Sequence, residues 1–133
     1  MKEITLEATV ENVTAALAFV DEALEAADCP MKAQMQLDIA VEEIFVNIAH
    51  YAYAPGQGEA TVGVEVSDGA VTVRFADRGV PYNPLAKDDP NISLPAQERA
   101  IGGLGIFMTK KLTDGMSYDY RDGQNILTIT KKL

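Results

Sequence analysis

The chain has 133 residues, 47% of them hydrophobic and 23% charged, and a formal charge of −9. That length and apolar content suit one domain with its own core, spanning 1–133, and exclude a disordered chain. The acidic balance repels a phosphate-coated polymer, so direct nucleic-acid binding is not expected. The lone cysteine, Cys29, rules out an internal disulfide and suits a reducing compartment. Met1–Glu7 has no apolar signal core, and no charge-free apolar run is long enough to span a bilayer. A cytoplasmic location without membrane contact is therefore expected.

Ile4–Thr9 alternates apolar and polar residues, the period of a half-buried strand. Val13–Ala27 takes the helical period through Val13, Ala16, Leu17, Val20 and Leu24, with Asn12 as the expected N-cap. Asp21, Glu22 and Glu25 fall on the outer, solvated face. Asp28-Cys29-Pro30 breaks that helix, and Pro30 suits the first turn of the next. The second helix is predicted over Met31–Tyr53 and stopped by Ala54-Pro-Gly-Gln-Gly58. The period then becomes two. Ala60–Val66 and Ala70–Phe75 flank Ser67-Asp68-Gly69, and Asp-Gly supports the tight turn that matches strand twist. Asp77–Pro84 ends this hairpin. The chain to Arg99 is rich in Pro, Asp and Asn and predicts a long, functional loop. A helix is predicted over Leu104–Thr113. A second hairpin, Met116–Tyr120 and Asn125–Lys131, turns at Arg121-Asp122-Gly123. Hairpins plus amphipathic helices without βαβ alternation imply an α+β two-layer sandwich, with helices on one sheet face. Phe45, Tyr53, Phe107 and Met108 are read as core.

Three features carry chemistry. Glu43 and Asn47 share a helix face one turn apart, amid Ile39, Val41, Ile44, Phe45, Val46 and Ile48. Polar groups so placed need partners, because unpaired burial costs roughly 1–3 kcal/mol each. A carboxylate serves as a general base, and an amide oxygen is a hard ligand suited to Mg²⁺; two solvated helix residues would look the same. Asp77-x-Gly79 ends a strand. The carboxylate accepts hydrogen bonds from an exocyclic amine such as adenine's, and Gly79 admits a close approach; a plain turn would use the same residues. Gly102-Gly103-Leu104-Gly105 opens a helix, where free N–H groups bind anions; a hinge is the other reading. Neither the P-loop ending nor the Rossmann context is present.

Together, and in this order, the three features resemble the anti-sigma-factor serine-protein kinases of partner switching, within the GHKL, or histidine-kinase-like, ATPase superfamily. The N box is matched by Glu42-Glu43-Ile-Phe-Val-Asn47-Ile-Ala-His-Tyr-Ala-Tyr53, the G1 box by Asp77-Arg-Gly79-Val-Pro81-Tyr-Asn-Pro84, and the G2 box by Gly102-Gly103-Leu-Gly105-Ile-Phe-Met. The resemblance implies a GHKL (Bergerat) sandwich with a mixed, mostly antiparallel sheet. It implies Glu43 as catalytic base, Asn47 as Mg²⁺ ligand, and Asp77 with Gly79 as the adenine-recognising pair. Gly102, Gly103, Leu104 and Gly105 would meet the ATP phosphates, Val80–Ile101 would form the lid, and Thr128 on the last strand would support the adenine site. Arg99 is the nearest counterpart of the lid arginine that faces the γ-phosphate, at a longer spacing from the glycines. Many members carry a histidine four residues after the asparagine, where this chain has Tyr51; His50 sits one place earlier, as a site neighbour or a structural histidine.

The implied activity is Mg²⁺-dependent phosphorylation of a serine on a STAS-type anti-sigma-factor antagonist, with a sigma factor as sequestered target and a homodimer as working form. Two other readings stay open. One is a module that sequesters a partner, with or without ATP, and phosphorylates nothing. The other is a histidine-kinase catalytic domain, against which stand the short length and the lack of a phosphoacceptor helix pair.

Overall fold

The fold is a computed structural model that describes residues 1–53, 56–86 and 103–133. In chain order come β1 (Lys2–Glu7), a 3-10 turn (Val10–Asn12), α1 (Val13–Ala26), α2 (Met31–Tyr51), β2 (Glu59–Ser67) and β3 (Ala70–Asp77). A 3-10 turn (Pro84–Ala86), α3 (Gly103–Leu112), β4 (Gly115–Arg121) and β5 (Gln124–Lys132) follow. The strands lie in the order β1-β2-β3-β5-β4. The sheet is expected to be mixed but mostly antiparallel, and every described pairing is antiparallel. The reason is the route after β3. The chain enters the sheet at its far edge as β4, and a tight hairpin then returns β5 antiparallel between β4 and β3.

Both hairpins turn as their sequences predict. Asp68 and Gly69 have φ of 53° and 74°, and Asp122 and Gly123 have 56° and 76°. Positive φ at both central residues gives the turn whose twist matches the strands. Asp28 also takes positive φ, 55°, and ends α1. Cys29 N–H donates to Leu24 O at 3.0 Å and Asp28 N–H to Glu25 O at 3.1 Å, which satisfies two carbonyls left over at the helix end. Pro30 then stands just outside α2, as its cap residue.

The alternation in β3 and β5 buries Val71, Val73, Phe75, Leu127 and Ile129 against the helices. Leu24 and Val20 of α1 and Leu37, Val41, Ile44 and Phe45 of α2 close over them, all at most 1% exposed. Each such aliphatic or aromatic side chain contributes roughly 1.5–3 kcal/mol by leaving water. This packing fixes α2 across the sheet and so fixes the side chains on its remaining face.

Three local expectations change. Asn12 precedes α1 but makes no cap bond; its Nδ2 donates to Glu7 O at 2.9 Å instead, because a 3-10 turn leads into the helix and leaves Asn12 at φ −84°, ψ 0°. Met108 is 43% exposed rather than core, whereas Phe45 is fully buried. Asp21 is half-buried and accepts from Gln34 Nε2 of α2 at 3.2 Å, so it faces the helix interface rather than open solvent.

Candidate functional site

A cleft of roughly 420 Å³ opens between the C-terminal half of α2 and the sheet end formed by β3, β5 and β4. Its size is within the range of small-molecule sites. Ile44, Ile48, Phe75 and Leu127 supply apolar walls, and Pro81 and Pro84 bring in the segment after β3. The polar groups facing it are Asn47, Asp77, Asn125 and three tyrosines, Tyr51, Tyr82 and Tyr118. Such a slot takes a flat, largely apolar ring with a few polar edges.

Asp77 closes β3 and is 7% exposed. Its Oδ1 accepts from Gly79 N at 2.9 Å and from Asn125 Nδ2 at 3.0 Å. Gly79 is required by contact: an ideal Cβ there would overlap the Ala52 carbonyl and lie 2.7 Å from Ala52 Cβ. The close approach is locked by Val80 N–H donating to Ala52 O at 2.9 Å. Tyr53 completes the junction, donating its hydroxyl to Glu59 O at 2.6 Å and accepting from Arg78 N at 2.7 Å. Burial raises the Tyr53 phenol above its usual pKa. Thus the end of α2 is stitched to both β2 and the Asp77 turn.

Asn47 lines the cleft one helical turn, about 6 Å of rise, from Glu43. Its amide is half-buried and makes no hydrogen bond among the described residues. A free hard oxygen in the cleft is the donor type a small divalent cation takes. No group of three or more His, Cys, Asp or Glu side chains that could hold a metal ion occurs among the described residues. An ion here would rest on Asn47 and on oxygens of the bound molecule.

Glu43 does not line the cleft itself; it is half-buried where α2 meets the first turn of α3. An ideal Cβ on Gly105 would overlap Glu43 Oε2 and lie 3.4 Å from its Cδ. Only glycine lets this carboxylate and this backbone meet. The structure therefore brings the general-base candidate against a helix N-terminus, the kind of place where N–H groups without intrahelical partners suit an anion.

Of the expected site residues, Asn47 and Asp77 share the cleft, Gly79 sits in the turn that shapes it, and Glu43 and Gly105 meet beside it. Gly103 and Leu104 are in the first turn of α3. Arg99, Gly102 and the 87–101 part of the expected lid lie outside the described residues. Thr128 is corrected by the alternation of β5. Asn125, Leu127 and Ile129 are buried on the helix-facing side, and the intervening Thr128 is directed to the other sheet face, opposite Arg74 and Ser117. The residue beside Asp77 is Asn125, its direct cross-strand partner. His50 is exposed and stacks edge-on against Tyr51 at 5.8 Å between ring centres, and it is Tyr51 that reaches the cleft.

Comparison with known proteins identifies the family. Residues 6–131 match the family model described as the histidine kinase-like ATPase domain. The chain is 27% identical over 132 residues to the serine/threonine-protein kinase BtrW of Bordetella bronchiseptica, covering 97% of this chain and 93% of that protein. It is 27% identical over 95 residues to the serine-protein kinase RsbW of Bacillus cereus, where the match covers 68% of this chain and 59% of the relative. Among solved structures, the RsbU and RsbW domains of Rv1364c from Mycobacterium tuberculosis superpose with a TM-score of 0.65 at 17% identity, over all of this chain and 33% of that one. With the family model matched over almost the whole chain, the chain belongs to the histidine kinase-like ATPase family and is similar to its RsbW- and BtrW-type serine-protein kinases.

Proposed function

We propose that the chain is an ATP-binding anti-sigma regulatory factor that phosphorylates a serine of a STAS-type antagonist in an Mg²⁺-dependent reaction. The observation that carries this reading is the meeting of Glu43 with Gly105 at the start of α3, directly beside the cleft that holds Asn47 and Asp77. In this reading Asp77 Oδ2 accepts from the adenine amine, since Oδ1 is already occupied. The N–H groups opening α3 face the phosphates. Asn47 holds Mg²⁺, which neutralises phosphate charge when bound. Glu43 takes the proton of the serine hydroxyl while its oxygen bonds to the γ-phosphorus and the bond to the β-phosphate oxygen breaks, leaving ADP. Catalysis is then mainly positioning, which suits a rigid α2 and a glycine-permitted contact.

The similarity to BtrW and RsbW, both named as kinases, supports the activity class. The family resemblance supports a sigma factor as sequestered target, a homodimer, and action in the cytoplasm as one unit over 1–133. No helix among the described residues is long and apolar enough to cross a membrane. Incubation with γ-labelled ATP, Mg²⁺ and a STAS-domain antagonist tests the proposal. Label should enter the antagonist and be lost when its acceptor serine is changed to alanine. Nucleotide binding without any transfer would instead support a sequestering module.

A further inference from the structure

We infer that Asn125 is the positioning residue for base recognition: it orients Asp77 and anchors the segment after β3, without touching the nucleotide itself. The inference rests on the nucleotide reading above and assigns a role to a residue outside its motifs. Asparagine is a poor strand residue, yet this one stands in the inward register of β5, in phase with Leu127 and Ile129, and is 7% exposed. A buried amide in that position needs all its hydrogen bonds.

It makes them. Nδ2 donates to Asp77 Oδ1 at 3.0 Å and to Val80 O at 2.9 Å, with a longer approach to Gly79 O at 3.4 Å. Oδ1 accepts from Tyr82 N at 3.0 Å and from the Tyr118 hydroxyl. Two donated hydrogens and two accepted bonds exhaust a primary amide. The orientation is also unique. Flipping the amide would set its oxygen against the Asp77 carboxylate and its NH₂ against the Tyr82 N–H. The Tyr118 hydroxyl is the donor in its bond to Asn125, and burial raises its pKa above the usual value.

Two consequences follow. With every bond used, Asn125 has nothing left to offer a ligand, so its influence passes through Asp77. Asp77 in turn has Oδ1 held by two N–H donors, and its Oδ2 makes no hydrogen bond among the described residues. Asp77 lines the cleft, and this oxygen is the acceptor it has left for a ligand there. A donor on a base edge finds an acceptor that has no freedom left to lose.

The test compares ATP with ITP, whose base lacks the exocyclic amine, by titration of the full chain. Wild type should favour ATP. Asn125→Leu should lower the ATP-to-ITP affinity ratio about tenfold, towards unity, as one oriented charge-assisted hydrogen bond is lost. Tyr118→Phe removes one bond to Asn125 and should move the ratio the same way by a smaller factor. Asn125→Ser, which keeps one donor, should restore part of it, and these two milder variants decide the matter if the leucine variant does not fold. A ratio unchanged in the variants, with both affinities falling together, would show a merely structural residue and overturn the inference. A wild-type chain that binds ATP and ITP equally would also overturn it, and one that binds neither would overturn the nucleotide reading as well.

Discussion

Gly105→Ala separates stability from transfer, because among the described residues the three atoms nearest the added methyl group all belong to one flexible side chain. The Cβ would overlap Glu43 Oε2 and lie 3.4 Å from Cδ, with no backbone atom of α2 within reach. Ordinary contact begins near 3.4 Å, so the carboxylate must retreat by about 1 Å or change rotamer, at about 0.5–1.5 kcal/mol. Against this, alanine in place of glycine within a helix contributes about 0.5–1 kcal/mol. The two nearly cancel, and the melting temperature should stay within about 5 °C of wild type. Catalysis has no such compensation, since a 1 Å misplacement of a reacting group costs about 10²-fold. Initial rates of label transfer at saturating nucleotide should fall by that order. In a Glu43→Ala background the same substitution should cause no further loss, because the group it displaces is gone. A 10²-fold loss in both backgrounds would show that Gly105 acts independently of Glu43 and refute the reasoning.

Gly79→Ala should behave oppositely. Its Cβ meets the backbone carbonyl of Ala52, which Val80 N–H holds at 2.9 Å and which cannot retreat; urea unfolding should show about 1–3 kcal/mol lost, and full stability would contradict the contact. Asn47→Ala should abolish the Mg²⁺-dependent part of nucleotide affinity while leaving binding in EDTA intact; an unchanged Mg²⁺ dependence in calorimetry would remove Asn47 as the ligand. Asp38 gives a pH signature between α1 and α2. Burial first, then the neighbouring Asp21 and Glu25 carboxylates, push it up to about 7, and its Oδ1 is buried without a partner among the described residues. Gln34 Nε2 bonds Asp21 and Glu25 at 3.2 and 3.4 Å, and Cys29, raised by burial and by Asp38, adds no compensating charge. A raised acid is favoured protonated in the fold, so its stabilisation is complete below pH 4 and is lost as pH rises through 7. Unfolding free energy should fall by roughly 1–2 kcal/mol over that window after solvent screening, and Asp38→Asn should flatten the slope. A wild-type slope retained in Asp38→Asn would exclude Asp38 as its source.

The elements were legible because each is locally determined. Asp68-Gly69 and Asp122-Gly123 adopt positive φ on their own chemistry, and the valines of β2 and β3 alternate as any half-buried strand must. The resemblance placed Asn47 and Asp77, and the structure sets both in one cleft. What stayed hidden depends on how distant segments pair. Asn125 could be put in phase with Leu127 and Ile129 by counting in twos, which already turns Thr128 outward. That Asn125 stands opposite Asp77 follows only from β5 lying between β4 and β3. The contact of Glu43 with Gly105 likewise joins residues far apart in sequence through the packing of α2 on α3. Asp38 reads as one polar residue on a helix until α1 brings Asp21 and Glu25 against it.

The most direct test of the account is nucleotide binding and label transfer measured side by side on Glu43→Ala. Glu43 is placed against α3 rather than in the cleft wall, so affinity for Mg²⁺-ATP should change less than about threefold, a difference below 1 kcal/mol. Transfer to the antagonist serine should fall about 10²–10⁴-fold, as for loss of a general base. Transfer at the wild-type rate would contradict the account, and so would a loss of transfer that only mirrors a loss of binding.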